Sequence, residues 1–245
     1  MLQCHCIHNM MYRFFALVVF AFFFSLSSCY AQSSAELRDS LHVLSAELDM
    51  HPEDTDLRLR KAAINMLLQE WDNAIYEYDR VLNQNHDNLA ALFYRAYANA
   101  RLRRLSLARS DYQRLLGILP DHLEARLGLA LICQQEKKTN EALDHLNLLI
   151  EQHPTSALGY ATRAGIEEEE GMSELALYDY DEAIRLEPEN TDYLLIRAQL
   201  LIKLRQYADA RRDLDRIVQL GTPRAALIDY YNQLTGNHGK RNKRK

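Results

Sequence analysis

The chain has 245 residues, 48% of them hydrophobic and 26% charged, with four cysteines and a formal net charge of −5 at pH 7. That apolar content supports a packed core and excludes a disordered chain, while so few cysteines exclude a disulfide framework. The charge is unevenly placed: without Arg13 the balance is about −6, and without the five basic residues between Lys240 and Lys245 the remaining body is near −11. Such a body repels phosphate, so no nucleic acid is expected among its partners.

Residues 1–31 differ from everything after them. Arg13 precedes an uninterrupted apolar run, Phe14 to Phe24, followed by Ser25-Leu26-Ser27-Ser28-Cys29-Tyr30-Ala31. A basic start, a short apolar middle and a small-residue exit are the layout of a secretory leader. Met10 and Met11 place Arg13 nearer a start than Met1 does. The run is short for a bilayer span, so an uncleaved N-terminal anchor is the lesser alternative. Leu26-Ser27-Ser28-Cys29 resembles the bacterial lipobox, which implies lipidation of Cys29 and a membrane tether. Cys29-Tyr30-Ala31 before Gln32 resembles an ordinary cleavage site, which implies a secreted soluble protein. The lipobox is favoured because Cys29 has no other evident purpose. Either exit predicts an exported chain, in the periplasm or on the outer membrane. Cys4, His5, Cys6 and His8 lie ahead of the leader and lack a second ligand cluster, so no metal site is expected there.

Residues 32–54 contain one helical face, Leu37, Leu41, Leu44 and Leu48, and read as an N-terminal capping helix. From Thr55 the chain repeats itself every 34 residues. Ala62, Ala96, Ala130, Ala164 and Ala198 form one register, and Ala74, Ala108, Ala142, Ala176 and Ala210 a second. Small residues recur like this where helices cross closely, because a larger side chain would force the axes apart. Larger residues recur beside them at Tyr78, Tyr112, Leu146, Tyr180 and Leu214, and again at Leu115, Leu149, Ala183 and Ile217. Pro120, Pro154 and Pro188 end the second helix of their units, with Pro52 on the same register. His86 and Thr222 replace the proline in two units. The units are 55–88, 89–122, 123–156, 157–190 and 191–224. In the fourth, a glycine, Gly171, marks the turn between helices. Cys133 falls at a core position of the third, as a small buried hydrophobe. Residues 225–236, with Leu227, Ile228, Tyr231 and Leu234, read as a single C-terminal capping helix, and 237–245 as a basic disordered tail.

This pattern resembles the tetratricopeptide repeat, whose period and small-small-aromatic-proline signature these positions match over Thr55 to Arg224. The resemblance implies an all-α, right-handed superhelical solenoid and a protein or peptide partner held in its concave groove. The family's groove positions fall here on Leu59, Phe93, Leu127, Ala161 and Leu195, and on Ala63, Tyr97, Leu131, Gly165 and Gln199. Leu59, Phe93, Tyr97, Leu127 and Leu131 therefore make the candidate groove, and Phe93 with Tyr97, one helical turn apart, is expected to be exposed. The family's carboxylate clamp is missing: its places hold Leu59, Ala63, Tyr94, Glu124 and Gly128.

The fourth unit offers a second candidate. Glu167, Glu168, Glu169 and Glu170 close its first helix, where carboxylates oppose the helix dipole. A solvated acidic end is the plain reading. The sharper one is an acidic site at Glu167, Glu168 and Glu169 for a basic partner segment or a cation, and consecutive residues fan too widely to make metal the better half of it. No phosphate loop, nucleophile elbow or His-Glu metal motif occurs, so neither catalysis nor a cofactor is expected. The sequence thus predicts a non-catalytic interaction scaffold in the bacterial cell envelope. The alternatives are a membrane-tethered component of an outer-membrane or secretion complex and a ligand- or cation-responsive sensor.

Overall fold

The computed structural model describes residues 34–234. The leader, Cys29 and the basic tail lie outside them. Among the described residues there are twelve α-helices, one short 3-10 turn and no strand. In chain order the helices are α1 (Ser34–Met50), α2 (Thr55–Leu67), α3 (Trp71–Gln84), α4 (Leu89–Arg101), α5 (Leu105–Ile118), α6 (Leu123–Gln135) and α7 (Thr139–Gln152). There follow α8 (Ala157–Glu169), α9 (Ser173–Leu186), α10 (Thr191–Lys203), α11 (Tyr207–Gln219) and α12 (Ile228–Leu234). None of them is long and apolar enough to cross a membrane.

The chain divides into two compact bodies, one ending at Leu57 and the other beginning at Arg58. In the first, α1 buries Leu44 and Leu48 and leaves Leu37 and Leu41 partly exposed. In the second, each helix from α4 to α11 packs against its neighbours in sequence, and α12 rests on α10 and α11. All ten alanines of the two registers are fully buried. The large residues three places before the Leu115 register, Tyr78, Tyr112, Leu146, Tyr180 and Leu214, are at most 2% exposed. The alanines admit the close crossing and the large side chains fill the space around it.

Helix ends follow the same period. Asn88, His122, Ser156 and Asn190 cap α4, α6, α8 and α10, each accepting a hydrogen bond from a backbone N–H of the first turn. The described second helices have no such side-chain cap. Their entry is fixed by the turn before them. At the fifteenth residue of each unit the backbone is left-handed: Gln69, Arg103, Lys137, Gly171 and Arg205, with φ between 59° and 77°. The next residue donates six-to-one to the carbonyl at position eleven, as Glu70 does to Asn65 and Met172 to Glu167, both at 2.8 Å. This closes a Schellman-type turn. Only the fourth unit uses glycine for it. The other four accept a side chain in a conformation that costs roughly 1–2 kcal/mol.

The C-terminal segment is not one helix. Arg224–Leu227 is a 3-10 turn leading into α12. Pro223 precedes it with an extended backbone, and Ala226 N–H donates to the Pro223 carbonyl at 2.9 Å.

Candidate functional site

The proposed groove positions are not alike. Phe93 and Tyr97 are 9% and 5% exposed, and Leu127 is 2% exposed. The expectation that the aromatic pair faces solvent is therefore corrected. Phe93 stacks on His122 at 5.5 Å and meets Tyr94 and Tyr112 at 5.1 and 5.8 Å. Tyr97 sits edge-on to Trp71 at 6.1 Å, and Arg101 covers the other part of that indole. These rings come from α3, α4, α5 and the α5–α6 turn, so the first-helix face of unit two is filled by packing. Leu59 and Leu131 are half-buried against the same cores. In units four and five the equivalent places, Ala161, Gly165, Leu195 and Gln199, are partly exposed like Leu59 and Leu131; Leu195 packs on the C-terminal core and Gln199 donates to Tyr230 at 3.0 Å.

A glycine explains part of the packing. A Cβ on Gly128 would lie 2.6 Å from the Tyr112 ring. The missing side chain at Gly128 is what lets Tyr112 lie fully buried between α5 and α6.

The acidic cluster disperses in three dimensions. Glu168 pairs with Lys203 of the next unit, and Tyr180 donates to it at 3.4 Å. Glu169 accepts from Gln134 at 2.7 Å, and Glu170 from Thr139 at 2.8 Å, both in the unit before. Glu167 turns inward, 7% exposed, with its Oε2 buried and unpartnered and its Oε1 4.0 Å from Arg163. Burial, with Asp179 nearby adding to it and Arg163 opposing, pushes the Glu167 carboxyl up to about 7. Three of the four carboxylates thus tie neighbouring units together, and the fourth is core. They do not converge on one point.

A charge pattern has the same period. Position seven of a unit is basic and position twenty-three acidic: Lys61 with Glu77, Arg95 with Asp111, Arg163 with Asp179, Arg197 with Asp213. Each arginine grips its aspartate with two hydrogen bonds, 2.8 and 2.6 Å at Arg95, 2.6 and 2.8 Å at Arg163, 2.9 and 2.6 Å at Arg197. Its third nitrogen reaches back to the preceding unit, to Asp79 at 2.6 Å, to Asn147 at 2.8 Å and to Asp181. Tyr231 occupies the next place on the register and donates to Asp215 at 2.6 Å. Burial lifts the Asp213 carboxyl above its ordinary range even though Arg197 pulls it down. The signal that would have found this ladder is the step of 34 applied to charge instead of to alanine.

The third unit breaks it, with Leu129 and His145 in place of the pair. Beside the break, Arg109 donates to Glu141 and to Glu136 at 2.5 Å each and to the Cys133 sulfur at 3.4 Å. Burial raises the Cys133 thiol and lowers the His145 imidazole. Cys133 is fully buried in the core with Leu127, Ala130, Ala142, Leu146 and Leu149, as its position implies, and its sulfur also meets Arg109.

Models of the tetratricopeptide repeat match residues 28–89, 101–166 and 169–233. The chain belongs to the tetratricopeptide repeat family. Among solved structures, a tetratricopeptide repeat protein from Parabacteroides merdae ATCC 43184 superposes with a TM-score of 0.63 at 19% identity, over 82% of this chain and 78% of that one. MamA gives 0.59 at 15% identity, over 67% of this chain and all of that one. YrrB, described as a tetratricopeptide repeat protein with an unusual peptide-binding site, gives 0.56 at 14%, over 79% and 97%. Likeness at these identities speaks to the fold. A DnaJ protein P58IPK homolog of Arabidopsis thaliana is 26% identical over 140 residues, 57% of this chain. The chain spans about a quarter of that relative's length.

Proposed function

We propose that this tetratricopeptide repeat chain is a non-catalytic scaffold of the bacterial cell envelope that takes a peptide or partner helix on its first-helix face. The observation that carries the reading is the contrast along that face. Aromatic packing fills it at Phe93 and Tyr97 in unit two, whereas Ala161, Gly165, Leu195 and Gln199 leave it partly open in units four and five. An extended or helical apolar segment suits such a surface. The peptide-binding site described for YrrB, which shares the fold, agrees with that use.

Cross-linking in the native host's envelope tests the reading. Wild type should capture a specific partner that Ala161→Arg with Gln199→Arg loses while keeping its melting temperature. Unchanged capture by that folded double variant would move the partner elsewhere. Export and tethering through acylated Cys29 belong to the same proposal, supported by the leader and the lipobox-like Leu26-Ser27-Ser28-Cys29. Cys29→Ser should release the protein from the membrane fraction. An unaltered distribution of a membrane-bound wild type would count against lipidation.

A further inference from the structure

We propose that Cys133, Glu141 and His145 form a binding site for one transition-metal ion of the zinc class in the third unit. The sulfur comes from α6, and the carboxylate and imidazole from α7, one helical turn apart. One ligand atom from each lies within 4.8 Å of the other two. A tetrahedral ion with bonds of about 2.0–2.3 Å needs its ligand atoms roughly 3.3–3.7 Å apart, so binding requires the three side chains to close by up to about 1.5 Å. Thiolate, imidazole and carboxylate together select zinc or cobalt over calcium and magnesium, which take oxygen alone. Three protein ligands leave the fourth position to water.

One further observation points the same way, and two more bear on competition and access. The site lies where the charge ladder is broken: at positions seven and twenty-three, Leu129 and His145 stand in place of an arginine and an acid, so no guanidinium on that register claims the imidazole. The Arg109 guanidinium touches both Cys133 and Glu141 and competes with an ion for them. Arg109 has a second carboxylate to keep, Glu136 at 2.5 Å, and can stay on it while an ion takes its other two partners. Solvent reaches the site at Glu141. Cys133 is buried, but the Glu141 side chain is 41% exposed and opens onto a shallow hollow of about 390 Å³ lined by Lys137, Lys138, Thr139 and Asn140. On binding, the Cys133 thiol gives its proton to solvent, a sulfur–metal bond forms, and the hydrogen bonds from Arg109 to Cys133 and Glu141 break.

The test uses the full chain with Cys4, Cys6 and Cys29 replaced by serine, so that Cys133 is the sole thiol. Titration with cobalt(II) should give a thiolate-to-metal charge-transfer band that saturates at one equivalent and is quenched by zinc. Cys133→Ser should abolish the band. His145→Ala and Glu141→Gln should each weaken binding by more than about 100-fold, beyond the roughly 10–100-fold loss typical of changes outside the ligand set. Arg109→Gln should tighten it about tenfold by removing the competing cation. Circular dichroism confirms the fold of each variant, and Glu141→Gln, a partly exposed isosteric change, keeps the test valid if the buried ones unfold. Absence of a band at one equivalent overturns the proposal. So does a band whose affinity is the same in folded Glu141→Gln and His145→Ala, because a thiol alone would then be the ligand.

Discussion

The fifth and third units solve the same packing problem in opposite ways. In the fifth, Arg197 clamps Asp213 and Asp181, tying α10 to α11 and to the unit before. In the third, Leu129 sits in the apolar core at the arginine's place, and the polar side chains gather instead around Arg109, Glu136 and Glu141 at the side. The comparison teaches that the alanine lattice alone sets the helix crossings. The ladder is an addition that one unit dispenses with, and where it is absent position twenty-three holds a histidine, His145.

The largest expected effect comes from breaking an intact rung. Arg163→Ala leaves Asp179, 1% exposed, without its bidentate partner and beside a second buried carboxyl, Glu167. It should cost ~3–5 kcal/mol in urea unfolding. Lys61→Ala at the first rung should cost under ~1 kcal/mol, because Arg58 still holds Glu77 at 2.9 Å. Equal losses would show that the rungs are not doing different work.

Lattice substitutions come next and should act in every unit alike. Ala164→Leu overpacks a fully buried crossing, and Gly128→Ala sets a methyl against the Tyr112 ring. Each should cost ~1–3 kcal/mol in thermal unfolding. An unchanged melting temperature for both would sink the claim that the lattice is primary.

The fourth unit adds a pH signature. The folded Glu167 carboxyl titrates near 7, above its ordinary 4.5. Between these values the folded chain binds more protons than the unfolded one, so its contribution to stability falls as pH rises from about 4.5 to 7. The fall should be on the order of 1–2 kcal/mol. Glu167→Gln should flatten it; an identical slope in the variant would refute the assignment.

The smallest effect sharpens the turn geometry. Lys137→Gly, at a left-handed φ of 61°, should stabilise by ~0.5–1 kcal/mol, as Gly171 already serves the fourth unit. Destabilisation would mean that the lysine side chain itself holds the turn.

Much of this was legible in order along the chain. A period of 34 placed both alanine registers, the aromatic register and the prolines, because identical units must bury identical contacts. The family model matches agree with that reading of the fold. The ladder is equally legible, but only when the 34-residue step is applied to charge across units, because within one unit a basic and an acidic residue sixteen places apart share no local signal. The exposure of Phe93 and Tyr97 was not legible. Helical spacing says that two residues share a face and is silent on what covers it, and here Trp71, Tyr112 and His122 cover it from other elements.

The sequence by itself determined the repeat, its register and the helix pairs, because a 34-residue period leaves one way to stack small residues at each crossing. Only the tertiary structure decided which faces are filled, that the four glutamates diverge, and that Cys133, Glu141 and His145 meet. Those outcomes depend on side chains brought together from different helices and turns, and no local spacing encodes the distance between them.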